Sequence, residues 1–124
     1  MLPETTVPAR EQTRELSWLS RRKLLWGLHA LERGDVNPAA IHVYEDYPND
    51  PAWQRVVFGG DLVVIFRALT AAERGVVRSD PPHFLVVRVV NPDEELPALE
   101  ALVAEKHAQE TKGKAEEEGG HEHE

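Results

Sequence analysis

Between residue 9 and residue 33, the apolar residues fall at positions that group them on common sides of an α-helix. The apolar side chains up to Leu19 face a direction more than about 100° from that of the later leucines, so one straight helix would not bury both sets. Ser17 or Ser20 is suited to cap a second helix, and Gly34 is suited to end it. The pattern therefore predicts two helices arranged as an αα-hairpin.

Three runs in the middle of the chain have the composition of β-strands. Trp53–Phe58 and Leu62–Leu69 are rich in β-branched and aromatic residues and are separated by Gly59-Gly60-Asp61, which indicates a β-hairpin. Phe84–Val90 is the third run, and Ile41–Tyr44 is a candidate for a further short strand. Because the second and third runs contain continuous apolar stretches, we expect both to be covered on two faces or to lie centrally in the sheet. The residues between these two runs are expected to form a loop.

The end of the chain combines an amphipathic segment with a charged tail. Leu96, Leu99 and Leu102 have helical spacing, so we expect a last helix that covers part of the sheet. Residues 105–124 contain seven glutamates, three lysines and no large apolar side chain. Such a segment cannot bury enough surface to offset the entropy of ordering it, which favours disorder.

Together these elements predict an α+β fold with a simple domain organisation. We expect a flexible N-terminus over residues 1–8, a single α+β domain over residues 9–104 and a disordered acidic tail over residues 105–124. In this domain the N-terminal αα-hairpin packs on a small antiparallel β-sheet and covers Ile65 of the central strand. A C-terminal helix precedes the tail.

Composition narrows the environment in which the protein works. The net charge of −8 disfavours general nucleic-acid binding, although Arg21, Arg22 and Lys23 form one local cluster of cations. The chain lacks cysteine, and its first residues lack the basic and apolar regions of a signal peptide. The longest apolar run, Leu62–Phe66, is far shorter than a membrane span. We therefore expect a cytoplasmic protein without membrane contact.

The signatures of common catalytic and cofactor sites are absent from the sequence. It has no phosphate-binding glycine loop, no paired histidines at the spacing of metal ligands on a helix and no nucleophile elbow. Only the tail segment Gly119–His123 brings two histidines close together, and a cation there would lack fixed groups to orient its ligands. We expect neither a cofactor nor a metal site.

Three arginines are the candidates for a functional site. Arg55, Arg67 and Arg88 lie in, or at the end of, three different predicted strands. Because a cation in a mostly apolar strand must reach water or an anion, the pattern indicates either one basic patch on the sheet or three separate salt bridges. The aromatic residues, Trp18 and Trp26 among them, are expected to serve mainly in the core and in connections.

The predicted elements and these arginines resemble the RelE/ParE toxin superfamily over about residues 9–96. Gly60–Arg67 is similar to the family's G-D-Y-R-V-I-Y-R hairpin, and Val87–Val89 is similar to its L-R-V segment. The resemblance implies a helical hairpin on an antiparallel sheet and a toxin of a bacterial toxin–antitoxin system. Members of the RelE type cleave messenger RNA at the ribosome, and members of the ParE type poison DNA gyrase.

The resemblance also implies site residues and partners. Arg67, Arg88 and Arg55 would be catalytic, the protein partner would be an antitoxin-like peptide, and RNA or the ribosome would be the target of the nuclease type. The chain departs from the family at Val63, where the family has an arginine, and over Asp93–Glu95, where the family is basic. Because RNA cleavage needs positive charge, these departures indicate a catalytically degenerate member.

Two further hypotheses come from other functional classes. The first is a non-enzymatic protein-interaction module, for example a phage or accessory protein. The second is a small enzyme of another class.

Overall fold

The computed structural model of the chain describes residues 2–77 and 82–122. The strands of this part are β1 Glu4–Thr5, β2 His42–Val43, β3 Gln54–Phe58, β4 Leu62–Ala68 and β5 Phe84–Val90. Its helices are α1 Val7–Glu15, α2 Trp18–Arg33, α3 Ala71–Val77 and α4 Glu95–Glu122, with 3₁₀ turns at Pro38–Ala40 and Pro92–Glu94. The molecule is thus a mixed α+β protein with a C-terminal helix, as predicted.

The strands form one five-stranded sheet in the order β1-β5-β4-β3-β2. The pairs β2–β3, β3–β4 and β4–β5 are antiparallel, whereas β1 pairs with β5 in parallel. Gly59 and Gly60 turn the chain between β3 and β4 with φ values of 62° and 83°, which side chains rarely tolerate. The parallel edge strand makes the sheet mixed, which differs from the purely antiparallel sheet predicted.

Helices cover both faces of the sheet, and two core clusters result. On one face, α1 and α2 pack on the sheet through Ala9, Leu24, Leu28, Leu31, Val56, Leu62, Val64, Phe66, Val86 and Val89. On the other face, α4 packs on it through Val63, Ile65, Leu85, Val87, Val90, Ala98, Leu99 and Leu102. The continuous apolar runs of β4 and β5 are therefore buried on two faces, as predicted. Ile65 lies on the α4 face, so its predicted position under the first two helices is wrong.

The predicted caps of α2 are confirmed. The Ser17 hydroxyl accepts a hydrogen bond from the Ser20 N–H at 3.2 Å, and Gly34 ends the helix with a left-handed φ of 76°. The cap places the break between α1 and α2 before Leu19, so Leu19 belongs to α2, where its side chain is exposed.

Part of the segment over residues 1–8, for which a flexible N-terminus was predicted, forms regular secondary structure. Glu4 and Thr5 pair with Leu85 and Val86 of β5, and α1 begins at Val7. Two residues are too few to show the alternation that identifies a strand in a sequence, and their stability comes from the pairing itself.

Two later segments also differ from the predictions. The predicted loop before β5 contains α3, and its residues Arg78–Pro81 lie outside the described part of the chain. The disordered tail is not confirmed, because α4 continues as a helix from Glu95 to Glu122. Contacts hold the first tail residues: Glu105 pairs with Arg88, and Lys106 donates to the Pro48 carbonyl. Within the described residues, none of the helices has the length and apolar character needed to cross a membrane.

Candidate functional site

Arg55, Arg67 and Arg88 all lie on the sheet face that α4 covers. Arg55 is opposite Ile65 across β3 and β4, and Ile65 is opposite Arg88 across β4 and β5. The pairing then skips Val87, and this bulge directs Val87 and Arg88 to the same side of the sheet. Counted from Leu85, simple alternation along β5 would have directed Arg88 toward α1 and α2, and the bulge shifts the alternation so that Val87, Arg88 and Val90 share the α4 side.

Arg67 and Arg88 share one cleft, and Arg55 lies outside it. The cleft has a volume of about 550 Å³ and lies between β4, β5, α4 and the segment 49–53. We call it the arginine cleft. Its charged lining residues are Asp50, Arg67, Glu73, Arg88, Glu105, Lys106 and Glu110.

Each of the two cleft arginines is bound by a carboxylate of the same chain. Arg67 donates to both oxygens of Glu73 at 2.7 and 2.9 Å, and to the Ala68 carbonyl at 3.0 Å. Arg88 has a side chain only 7% exposed, and it donates to Glu105 at 2.6 Å and to the Val87 carbonyl at 2.7 Å. These pairs link the sheet to α3 and α4.

Arg55 belongs to a third, separate group at the start of α4. Its Nε lies 2.9 Å from a Glu95 oxygen, and the Tyr44 hydroxyl donates to the same oxygen at 2.7 Å. Burial and the neighbouring Glu95 carboxylate raise the pKa of Tyr44, which keeps its hydroxyl protonated. Of the two alternatives left open by the sequence, the structure has three separate salt bridges.

The electrostatics of the arginine cleft do not favour a polyanion. Its three cations face four carboxylates, which leaves a net charge of −1. The hydrogen bonds from Arg67 lower the pKa of Glu73 to about 2, so this carboxylate is ionised at neutral pH and neutralises its partner. An RNA phosphate would have to displace Glu73 or Glu105 before it reached either guanidinium.

A second surface, on α2, combines exposed aromatic residues with cations. Trp18 is 70% exposed, Trp26 is 73% exposed and Leu19 is 56% exposed. The guanidinium of Arg22, one turn from each tryptophan, lies 5.4 Å from the centre of the Trp18 ring, within cation–π range. The expectation that aromatic residues serve in the core is wrong for both tryptophans. We call this surface, formed by Trp18, Leu19, Arg22, Lys23 and Trp26, the tryptophan face.

A groove separates the tryptophan face from the turn between β3 and β4. It has a volume of about 640 Å³, and Leu19, Trp26 and Phe58 provide its apolar walls. A Cβ at Gly27 would lie 2.5 Å from the Phe58 ring, so only a glycine lets this ring lie directly against α2. The groove floor is therefore built into the packing of α2 on the sheet.

The cations of the tryptophan face differ from the cleft arginines in their partners. In the described part of the chain, Arg22 and Lys23 form no ion pair with a carboxylate, whereas Arg55, Arg67 and Arg88 each form one. A helical projection of the sequence contains the signal that would have found this surface. Trp18, Leu19, Arg22 and Trp26 lie opposite the buried leucines of α2.

The structure provides no metal site among the side chains it describes, where no group of three His, Asp or Glu residues is arranged around a common point. The tail segment Gly119–His123 lies outside those side chains. His42 and His83 are exposed, and His83 is held against the buried carboxylate of Glu32 at 2.6 Å.

We found no significant match of the chain to a protein-family model, a curated protein or a solved structure.

Proposed function

We propose that this protein is a non-enzymatic binding module whose protein partner docks on the tryptophan face. The observation that carries the proposal is the exposure of Trp26, at 73%, beside Trp18 on the same side of one helix. Tryptophan and arginine are the side chains most enriched at the energetic centres of protein interfaces, and clustered exposed apolar groups mark interaction sites. The composition, which lacks cysteine, suits a cytoplasmic interaction.

In this proposal the arginines of the arginine cleft have a structural role. Arg67 and Arg88 are engaged by Glu73 and Glu105, and each pair fixes a helix to the sheet. A group that stabilises a developing anion must instead offer its donors to the reacting atoms.

Site-specific photo-crosslinking in the cell tests the proposed function. A photoreactive amino acid replaces Trp26, and a matched control replaces Leu96, an exposed residue of α4 that is 53% exposed. We expect position 26 to capture one protein, identified by mass spectrometry and confirmed by reconstitution, and position 96 not to capture it. Capture of that protein from both positions, or from neither, would contradict the proposal.

A second candidate function is a toxin of the RelE/ParE type, and one observation favours it. Arg67 and Arg88, the residues that the resemblance implies as catalytic, line the same cleft. In this case the partner would be an antitoxin-like peptide, and RNA or the ribosome would be the target. Displacement of Glu73 and Glu105 by the substrate would release both guanidinium groups.

Induced expression in a bacterial host, with ribosome profiling, separates the two candidates. A nuclease-type toxin would arrest growth, and Arg67→Ala or Arg88→Ala would relieve the arrest by lowering the cleavage rate about 10²–10³-fold. Circular dichroism of the purified variants checks that they are folded. The binding module predicts no arrest and no cleavage of messenger RNA by the wild type.

A further inference from the structure

The tryptophan face lies on the most basic element of an acidic chain. Over Trp18–Arg33, α2 contains three arginines and one lysine but a single carboxylate, Glu32. That carboxylate is buried and points away from the face, because it accepts hydrogen bonds from the backbone N–H groups of His83 and Phe84. The exposed charge of α2 is therefore positive, in a chain whose net charge is −8.

Resting on the proposed function, we propose that the partner segment is an acidic amphipathic helix that lies in the groove between α2 and the β3–β4 turn. Its apolar side chains would contact Leu19, Trp26 and Phe58, and its carboxylates would pair with Arg22 and Lys23. Charge complementarity favours a negatively charged partner segment, because Arg22 and Lys23 form no ion pair with a carboxylate within the described residues.

The geometry of the surface favours a helix over a strand. A strand binds by adding to a sheet edge, and the edges here are β1 and β2, whereas α2 has its backbone groups bonded within the helix. Trp18, Arg22 and Trp26 repeat every four residues and form a ridge about 12 Å long. Such ridges fit the grooves of a second helix.

Other occupants fit the surface less well. In a symmetric dimer through this face, Arg22 and Lys23 would meet their own copies, and like charges would oppose each other. The acidic C-terminal residues 115–124 supply carboxylates but no large apolar side chain for the groove. Two cations on a chain of charge −8 release few counterions from a nucleic acid.

Selection from a random peptide library tests the proposal, because the library contains peptides of every charge and every apolar spacing, any of which can bind in the groove. Displayed peptides are selected on the wild-type protein and counter-selected on a Trp26→Ser variant. We expect the enriched peptides to carry aspartate or glutamate together with apolar residues at helical spacing. Synthetic copies should bind the Arg22→Glu/Lys23→Glu variant about tenfold or more weakly than the wild type. An Arg10→Glu variant, with its charge change at an exposed position of α1 outside the groove, should bind as the wild type does.

Several results would overturn the proposal. Enriched peptides that are neutral or basic, or apolar at every second residue, would contradict an acidic helix. Tighter binding of a 12-nucleotide single-stranded RNA than of the selected peptides, or self-association of the protein through Trp26 in sedimentation, would assign the face to another occupant. If photo-crosslinking identifies a partner while the peptides fail, the partner chemistry is wrong and the proposed function remains.

Discussion

At the residue scale, two buried charged side chains connect the helices, the sheet and the loop before β5. Glu32 and Arg88 are the charged residues buried in the described part of the chain, and each is paired across two elements. The Glu32 carboxylate accepts hydrogen bonds from the backbone N–H groups of His83 and Phe84, and the Arg88 guanidinium donates to Glu105 and to a backbone carbonyl. Buried charges of this kind are tolerated in a fold only when they are paired. The main role of both residues is therefore to connect neighbouring elements through these bonds.

Two helix glycines give a matched pair of substitutions at this scale. Gly27→Ala should lower the free energy of unfolding by about 1–2 kcal/mol, because the new Cβ would collide with the Phe58 ring. The cost of this collision exceeds the gain from the higher helix propensity of alanine. Gly75→Ala meets no atom within 4 Å and should raise that free energy by up to about 1 kcal/mol. Urea denaturation measures both. Stabilisation by Gly27→Ala would mean that Phe58 does not lie against α2.

At the element scale, the long strands and the helices α1, α2 and α4 could be predicted because their patterns span several turns or residues. The interval Phe84–Val90 of β5 matches its predicted run, and Ser17 and Gly34 cap α2 as predicted. β1 could not be predicted, because its two residues gain their conformation from β5 alone. The bulge at Val87 could not be predicted either, and it puts Val87 and Arg88 on the same side of the sheet.

The helix α3 is different, since the sequence contains a signal for its start. Thr70 and Glu73 have the spacing of a capping box, and the structure contains both reciprocal bonds: Thr70 N–H to the carboxylate at 2.9 Å and Glu73 N–H to the hydroxyl at 3.1 Å. The sequence contains a signal for the tryptophan face too, since Trp18, Leu19 and Trp26 form a second apolar stripe on α2, opposite its buried leucines.

Glu73 gives a prediction of pH dependence for this element. The pKa of Glu73 falls from 4.5 to about 2 in the folded protein, mainly through its hydrogen bond from Arg67. Its contribution to stability is therefore complete above about pH 4.5 and is lost as the pH falls toward about 2. Because 34% of the side chain is exposed, solvent screening reduces this contribution to about 1 kcal/mol.

The difference in unfolding free energy between wild type and Glu73→Gln measures this effect. We expect the difference to be constant between pH 5 and 7, within the range where the contribution is complete, and to shrink steadily below about pH 4.5. A difference that grows as the pH falls would contradict the assigned direction.

Truncation separates the part of α4 that packs on the sheet from the part that does not. Removal of the residues after Ala108 should change the unfolding free energy by less than about 0.5 kcal/mol, since residues 109–112 are exposed. Removal of the residues after Ala104 also deletes Glu105 and leaves the buried Arg88 without its carboxylate, which should cost about 1–3 kcal/mol. Equal stability of the two truncated proteins would show that the Arg88–Glu105 pair contributes nothing.

At the scale of the whole molecule, charge and exposure distinguish two surfaces of the protein. The face under α4 contains arginines that are matched by carboxylates, and the cleft there has a net charge of −1. The opposite side contains the exposed tryptophans of α2 and cations without carboxylate partners in the described chain. Strand arginines suggested a site from the sequence, but the exposed tryptophans and the cations without carboxylate partners in the described chain lie on the tryptophan face.

The affinity of the crosslinked partner for three forms of the protein tests directly whether the tryptophan face is the docking surface. Isothermal titration calorimetry would compare wild type, Trp26→Ala and Leu96→Ala, with unfolding free energies measured in parallel. Trp26 is 73% exposed, so its loss should leave stability within about 0.5 kcal/mol while weakening binding about 30-fold or more. Leu96→Ala should bind as the wild type does. Equal affinity of all three forms for the partner would contradict the assignment of the tryptophan face.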